Sequence, residues 1–334
     1  MISIVCIALL FFGFLSGVIA GILSWKHITF SERLKPCTME KEIVIPRSDR
    51  WRVGIIGDPH GNVLIFKKGL QLMAARNVDA VIVLGDMVQY PTTASLNHFT
   101  NTIAESAADC QNMRNIFFLP GNHDSDDNND LSLYKKYFGK TYHLVKIGRT
   151  LFLLLDNSIK TIDQTQCGWI SAKLESASAE NLDVILCMHV PLNSCGITID
   201  KLDQKSVDFI AAMIETHPNI QMLLSGHFHG YATGLLANVP VVISGGGGGA
   251  LEETPDTEFH CLVLEENPGK PPTIEYIQIP QPAWIIMKLW RLLYFFETLP
   301  AWFLWSITVI CIFPITWLII RRRMSVEPKR FVNK

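Results

Sequence analysis

The chain has 334 residues, of which 49% are hydrophobic and 18% charged, and its formal net charge is −2. This length fits one large domain or two small ones. The near-neutral charge, without a stripe of Lys and Arg, excludes the electrostatic footprint of a nucleic-acid-binding protein. The mean hydropathy of +0.23 is high for a soluble domain, and the excess apolar content lies at the two ends of the chain.

Residues 1–23 are predicted to be a membrane anchor or a signal segment. Residues 2–23 carry no charged side chain, and the run is long enough to span a bilayer. It also has the size of a secretory signal that could be cleaved after Ala20, but no Lys or Arg precedes it, which favours a retained anchor. A buried core helix is disfavoured because every face is apolar. Residues 24–49 are predicted to be a tether.

The other end of the chain has a similar character. Residues 301–320 are apolar with tryptophans near the margins, and this pattern predicts a transmembrane helix. A basic tail, residues 321–334, follows and marks the predicted end of this helix. Residues 283–300 are predicted to be an interfacial helix, because Lys288 and Arg291 lie on one helix face.

The middle of the chain, residues 50–282, is predicted to be one soluble domain of the α/β class. Continuous apolar strands that alternate with helices indicate a sheet covered on both faces. The later strands are less often separated by helices, so part of the sheet is expected to be antiparallel. Strands are predicted at 52–56, 80–84, 116–119, 151–155, 184–187, 221–224, 239–243, 261–264 and 273–279, and helices at 63–76, 96–108, 131–137, 166–176 and 205–217.

Five of these strands are followed directly by histidine, aspartate or asparagine. Ligands of an open α/β sheet bind just outside the carboxyl ends of its strands, so side chains far apart in sequence are expected to converge on one rim. Neighbouring glycines allow tight turns there. The residues concerned are Asp58, His60, Asp86, Asn122, His123, His189, His227 and His229.

This set has the chemistry of a metal centre. Two divalent metals roughly 3.5–4 Å apart need about seven protein ligands and a bridging oxygen. Histidine with carboxylate suits Zn, Mn or Fe, and the absence of cysteine argues against a structural zinc site. Taken singly, His189 could be a turn residue and Asn122 a helix cap, but the ensemble favours metal binding.

The order Asp-X-His, Gly-Asp, Gly-Asn-His-Asp, His and Gly-His-X-His resembles the calcineurin-like metallophosphoesterases, and all five blocks occur in order between Asp58 and His229. The resemblance implies an αββα sandwich of two mixed sheets flanked by helices, with a dinuclear centre of Mn, Fe or Zn. It implies ligands for one metal at Asp58, His60 and His229, ligands for the other at Asn122, His189 and His227, and a bridge at Asp86. His123 would stabilise the phosphoryl transition state or protonate the leaving oxygen.

The function implied by the resemblance is a phosphoesterase that cleaves a phosphomonoester or phosphodiester by attack of a hydroxide bridging the metals. The apolar segments at the two ends add the expectation that this enzyme is anchored in a membrane. A scaffold that keeps the fold but docks partners without catalysis is the alternative, and the complete ligand set disfavours it. The resemblance implies a phosphoester substrate, and the apolar segments at both ends make a lipid-linked one a candidate. The membrane is an expected partner, and nucleic acid is not.

One departure separates the chain from a branch of this superfamily. Purple acid phosphatases use a metal-ligating tyrosine three residues after the Gly-Asp aspartate, whereas this chain has Gln89 there and Tyr90 one position further. His60 also stands where the purple enzymes lack histidine. We therefore expect the chain to lie outside the purple branch.

Other features leave alternatives open. Asp156 follows a strand and could support the site, although a turn is favoured. The glycine run 245–249 suits either a substrate approach or a flexible turn. The six cysteines of the domain leave disulfides open, with Cys187 expected to be a free buried thiol.

The basic tail sets the expected sidedness. Its six Lys and Arg residues predict a cytoplasmic tail, and a single span then puts the domain in the periplasm, an organelle lumen or the exterior. Basic residues at 26, 33, 35 and 41 favour a cytoplasmic domain instead. A re-entrant hairpin bent at Pro300 would satisfy both flanks, but Lys288 and Arg291 make its first arm a poor inserter, so the single span is preferred.

Overall fold

The computed structural model describes residues 41–43, 50–109, 115–192, 195–197, 200, 202–253, 257–268, 270–283, 286 and 288. Almost all of them belong to one unit, Arg33–Trp284. Its helices are α1 (Val63–Ala74), α2 (Thr93–Asp109), α3 (Ser132–Phe138), α4 (Gln164–Ala179) and α5 (Gln204–Thr216). Its strands are β1 (Lys41–Ile43), β2 (Arg52–Ile56), β3 (Ala80–Val83), β4 (Ile116–Phe118), β5 (His143–Ile147), β6 (Thr150–Leu154), β7 (Asp183–Met188), β8 (Ile220–Ser225), β9 (Tyr231–Leu236), β10 (Val239–Ser244), β11 (His260–Glu265) and β12 (Thr273–Gln278).

The strands form two mixed sheets, as predicted. The smaller sheet has the order β12-β11-β2-β3-β4, and the larger has the order β1-β5-β6-β7-β8-β10-β9. In the smaller sheet β2, β3 and β4 are parallel, while β11 runs antiparallel to β2 and β12. In the larger sheet β6, β7, β8 and β10 are parallel. Each sheet therefore brings the carboxyl ends of several parallel strands to one edge.

The main core lies between the two sheets. Ile55, Ile82 and Phe117 of the smaller sheet belong to one buried cluster with Phe152 and Leu224 of the larger sheet. Burying a side chain of this size stabilises the fold by roughly 1.5–3 kcal/mol. The inter-sheet layer thus holds the two strand edges in place relative to each other.

Helices cover both outer faces, which makes four layers. Helix α1 packs on the smaller sheet and against α2, and it buries Phe66 and Leu70. On the larger sheet, Leu174 of α4 and Ile210 of α5 share a second buried cluster with Leu186 of β7. An asparagine or aspartate caps the start of three helices by accepting a backbone N–H, as such residues do at N-caps; these are Asn62, Asp163 and Asp203.

The strands that sequence reasoning missed are β1, β5 and β9. In β5 and β9, buried or half-buried residues alternate with more exposed ones, so neither reads as a continuous apolar run. His143 is buried within β5. Strand β1 lies inside the segment predicted as a tether and pairs with β5 in parallel.

Several predicted segments lie outside the described residues. These are the N-terminal anchor or signal segment, most of the tether, the transmembrane helix, the basic tail and nearly all of the interfacial helix. In the part of the chain that the structure describes, none of the helices has the length and apolar character needed to cross a bilayer. Cys187 is a buried free thiol, as predicted, and Cys167 and Cys261 are free as well.

Candidate metal centre

The turns that follow β2 and β3 lie side by side at the edge of the smaller sheet. The backbone N–H of Asp58 donates to the Gly85 carbonyl (3.2 Å), and that of His60 donates to the Asp86 carbonyl (2.9 Å). These bonds extend the pairing of the two strands beyond their ends. The carboxylates of Asp58 and Asp86 are thereby brought to the same place, almost fully buried.

Four residues of this region have a left-handed backbone. The φ angles are 58° at Asp58, 47° at His60, 56° at Asp86 and 69° at His227. Such values are uncommon for residues other than glycine and cost on the order of 1–3 kcal/mol each. They persist only where the surrounding structure determines them, and they cluster at functional sites.

Asp86 lies between two groups of side chains. Its Oδ2 atom is 3.2 Å from His60 Nε2 and 3.3 Å from His189 Nε2. Its Oδ1 atom accepts a hydrogen bond from the backbone N–H of His123 (2.8 Å). One carboxylate oxygen therefore faces both groups, as a bridging ligand would.

The first group consists of Asp58, His60, Asp86 and His229. Each offers one ligand atom, and these atoms all lie within 4.8 Å of one another. His60 Nε2 is 3.0 Å from His229 Nε2, which in turn is 3.6 Å from Asp58 Oδ1.

The second group consists of Asn122, His189 and His227 beside Asp86. His189 Nε2 lies 3.0 Å from Asn122 Oδ1 and 3.3 Å from His227 Nδ1. The structure thus brings together all seven side chains that the sequence predicted as ligands. In both groups imidazole nitrogens face one another beside a buried carboxylate. This donor set fits Zn, Mn or Fe ions, because a cation can satisfy converging lone pairs.

The ring orientation of three of these histidines is set by carbonyl oxygens. The Nδ1 atom of His189 lies 2.8 Å from the Leu84 carbonyl oxygen, and that of His229 lies 2.7 Å from the Ala250 carbonyl oxygen. The Nδ1 atom of His60 lies 2.9 Å from the side-chain oxygen Oε1 of Gln89. A carbonyl oxygen only accepts, so each Nδ1 carries the proton. In the neutral ring each Nε2 then has its lone pair directed into the centre, as is usual for metal-ligating histidines.

Asp124 holds the loops that carry the centre, and sequence reasoning gave it no role. Its carboxylate accepts hydrogen bonds from the backbone N–H groups of Asp86 (2.8 Å), Met87 (3.0 Å) and Gly121 (2.8 Å). Burial and the negative charge of Asp86 raise the pKa of Asp124 to about 7, although the hydrogen bonds from the backbone act to lower it. Its place in the Gly-Asn-His-Asp block was the available signal.

Asn157 is the second residue that sequence reasoning missed. Its Oδ1 atom accepts from the backbone N–H groups of His189 and Val190, both at 3.0 Å, and its Nδ2 donates to the Val190 carbonyl (2.7 Å). It fixes the end of β7, where His189 lies. The neighbouring Asp156 accepts from Ser158 within a turn, in agreement with the favoured interpretation.

The glycine run 245–249 is neither an open approach for substrate nor a flexible turn. All five glycines are buried. Gly247 donates to the Gly57 carbonyl and Gly249 to the Asp58 carbonyl, both at 2.8 Å. A Cβ at Gly249 would come within 2.9 Å of the rings of His229 and His60. The run is a packed support that only glycine fits.

Burial and charge oppose each other at this centre. Burial favours the neutral form of His189, but the carboxylates of Asp86 and Asp58 outweigh it and raise the pKa of His189 to about 10. Burial likewise acts to raise the pKa of Asp86, yet His189 and His60 hold it well below its ordinary value of 3.8. Burial lowers the pKa of His227 to about 4. Without metal, His189 therefore carries a proton that a cation would have to displace.

His123 lies beside the two groups. Its ring centroid is 4.7 Å from that of His60, and its Nδ1 is 3.0 Å from the Gln89 carbonyl. The ring is half-buried at the margin of the centre. This position suits a side chain that contacts substrate.

Residues 52–231 match the family model of the calcineurin-like phosphoesterases. Together with the two mixed sheets and the clustered ligands, this match shows that the chain belongs to that family, as the resemblance implied.

Two curated relatives carry names of cyclic nucleotide enzymes. The chain is 28% identical over 181 residues to a probable cyclic nucleotide phosphodiesterase of Colwellia psychrerythraea. This alignment covers 52% of this chain and 65% of that protein. It is 25% identical over 156 residues to a 3',5'-cyclic adenosine monophosphate phosphodiesterase of Escherichia coli, and this alignment covers 45% of this chain and 54% of that protein. The chain thus spans less than two thirds of the length of either relative.

A solved structure with a similar fold is a purple acid phosphatase from yellow lupin seeds. The TM-score is 0.56 at 19% identity, and the match covers 70% of this chain and 52% of that one. At this identity the likeness shows the fold alone.

Proposed function

We propose that the chain is a metal-dependent phosphoric ester hydrolase with two metal ions at its centre. The observation that carries this proposal is the position of Asp86 Oδ2, which contacts His60 Nε2 and His189 Nε2 at 3.2 and 3.3 Å. A single carboxylate oxygen shared by two ligand groups suits a pair of ions better than one ion.

Asp58, His60 and His229 would hold one ion, Asn122, His189 and His227 the other, and Asp86 both. When bound, two such ions lower the pKa of water towards neutrality and offset the negative charge of a phosphoryl group.

His123 is the side chain proposed to act on the substrate. Its Nδ1 proton is held by the Gln89 carbonyl, so its Nε2 is free to face a phosphoryl or leaving oxygen. There the imidazolium form of His123 would donate from Nε2, either to the charged phosphoryl oxygens or to the leaving oxygen as it departs, and proton delivery would leave the neutral ring protonated at Nδ1.

A phosphodiester is the favoured substrate class. Support comes from the names of the two relatives, both cyclic nucleotide phosphodiesterases, although each is covered over less than two thirds of its length. A lipid-linked phosphoester is the second candidate, and the apolar segments 2–23 and 301–320 of the sequence favour it.

We also propose that the domain is extracytoplasmic and the tail cytoplasmic. The six basic residues after residue 320 support this orientation. Protease added to sealed vesicles, with a tag after Lys334, tests it. Protection of the domain together with the tag on the cytoplasmic face would contradict the proposal.

The function is tested with the full chain and Mn, Zn or Fe. The substrates are p-nitrophenyl phosphate, its bis ester, 3',5'-cyclic AMP and a phospholipid in liposomes. We expect metal-dependent turnover, and Asp86→Asn should lower it by about 100-fold or more. Asp156→Asn is the control, because Asp156 lies in a turn outside the ligand groups. A folded, metal-free protein without turnover on any substrate would instead support a scaffold.

A further inference from the structure

Gln89 stands between two histidines that have different proposed roles. It follows the turn after β3 and is half-buried. Its side-chain Oε1 lies 2.9 Å from His60 Nδ1, and its main-chain carbonyl oxygen lies 3.0 Å from His123 Nδ1. One residue therefore contacts both rings through two chemically separate acceptors.

The side chain of Gln89 determines which nitrogen of His60 is protonated. An amide oxygen accepts, so His60 donates from Nδ1. In the neutral ring, the form that binds a metal, Nε2 then has the lone pair, and this atom lies 3.2 Å from Asp86 Oδ2 and 3.0 Å from His229 Nε2. A hydrogen-bond partner on the outer nitrogen is what fixes the orientation and tautomer of a metal-ligating histidine.

The main chain of Gln89 does the same for His123. Its carbonyl can only accept, so Nδ1 of His123 carries a proton and Nε2 is the atom left to face a substrate. The side-chain Nε2 of Gln89 lies further away, 3.3 Å from the same Nδ1, and it cannot donate to an atom that already carries a proton. His123 therefore depends on the backbone of Gln89 and not on its amide group.

We propose that Gln89 is a positioning residue that fixes the protonated nitrogen of His60 through its side chain and that of His123 through its main chain. This inference rests on the proposed function, since it assigns His60 to a metal ion. It has a sharp consequence, because a substitution changes the side chain and leaves the carbonyl in place. Loss of the amide should affect His60 and spare His123.

The test is zinc titration of the full chain and of three variants. Wild type should bind two zinc ions. Gln89→Leu should weaken one of them by about 10–100-fold and leave the other unchanged. Gln89→Glu keeps an acceptor for His60 Nδ1 and should bind both ions as tightly as wild type. Gln166→Leu is the matched control, because Gln166 bonds with both amide atoms to the backbone of Asp156, outside the ligand groups, and should leave both affinities unchanged.

Nitrogen NMR of ¹⁵N-histidine-labelled protein provides a readout other than activity. In Gln89→Leu the His60 nitrogen shifts should change, while His123 keeps the pattern of a ring protonated at Nδ1. If Gln89→Leu does not fold, Gln89→Met, of similar length and without an acceptor oxygen or donor, takes its place.

Two zinc ions bound to Gln89→Leu with wild-type affinity would overturn the inference, as would equal loss of both ions or a Gln89→Glu variant as weak as Gln89→Leu. A change at His123 equal to that at His60 would overturn it as well. Wild type that binds none of Zn, Mn and Fe would reject the proposed function itself, so the two failures are distinguishable.

Discussion

The carboxylate of Asp124 holds the backbone of Asp86, accepting its N–H at 2.8 Å. The same carboxylate also accepts hydrogen bonds from the backbone N–H groups of Met87 and Gly121. Asp124, in the loop after β4, thus fixes the backbone of the loop after β3, from which the carboxylate of Asp86 projects.

Removal of this carboxylate should be costly. Asp124→Ala leaves three backbone donors without their partner, at about 1–3 kcal/mol for each buried donor, so the free energy of unfolding should fall by roughly 3 kcal/mol or more. Urea denaturation measures it. Asp126→Ala is the control, because Asp126 also accepts from two backbone N–H groups but is exposed, and water can replace it. An equal loss for both variants would contradict the role given to Asp124.

A methyl group at residue 249 should disturb one ligand group. The Cβ of Gly249→Ala would crowd the rings of His229 and His60, at a cost of about 1–3 kcal/mol in stability. Zinc affinity at the group containing these rings should fall as well. Gly168→Ala is the control: it lies in α4, its Cβ would meet nothing within 4 Å, and alanine should stabilise the helix by about 0.5–1 kcal/mol. Unchanged zinc binding in Gly249→Ala would show that the rings have room to move.

Metal binding should depend on pH. The pKa of His189, raised to about 10 by Asp86 and Asp58 against the effect of burial, means that the ring is protonated at neutral pH in the metal-free protein. A metal ion must displace this proton, so affinity should rise by about tenfold per pH unit between about pH 6 and pH 8. His227, with a pKa of about 4, is already neutral and adds nothing in this range. Calorimetry in buffers of different ionisation enthalpy counts the protons released, and a count near zero would refute the prediction.

His123 should matter more for poor leaving groups. We expect His123→Ala to lower turnover by about 10²–10⁴-fold for an alkyl phosphodiester and by less for a p-nitrophenyl ester, whose leaving oxygen needs no proton. Metal content should stay at the wild-type level, because His123 lies outside both ligand groups. His217→Ala, at the end of α5, is the control. An equal rate loss on both esters would argue for charge stabilisation instead of proton delivery.

The convergence of the ligands could be predicted, because parallel strands present their carboxyl ends at one edge. Asp58, Asp86 and Asn122 follow three neighbouring parallel strands of the smaller sheet, and each of those strands has a clear apolar run. The division into two mixed sheets came from the family resemblance, since strand pairing depends on partners distant in sequence.

The supporting residues could not be predicted in the same way. Asn157 accepts from backbone atoms 32 and 33 residues away, and Asp124 from atoms 37 and 38 residues away, so the sequence near each residue does not show these contacts. The Gly-Asn-His-Asp block marks Asp124 as part of the site but does not show what it holds. The glycine run 245–249 was ambiguous for a similar reason, because its role depends on the loop after β2 that it packs against. Strand β9 was missed because it forms a sheet edge and its residues are alternately exposed and half-buried, so no continuous apolar run marks it.

Each proposed metal ion would take ligands from both sheets. Asp58, His60 and Asn122 follow strands of the smaller sheet, and His189, His227 and His229 follow strands of the larger one. Neither sheet alone can form a complete coordination sphere, so the ions can bind tightly only after the two layers have docked. Each bound ion would then act as a cross-link between the layers and add about 2.7 kcal/mol to the free energy of unfolding when its concentration is 100 times its Kd. The melting temperature should therefore report metal loading directly.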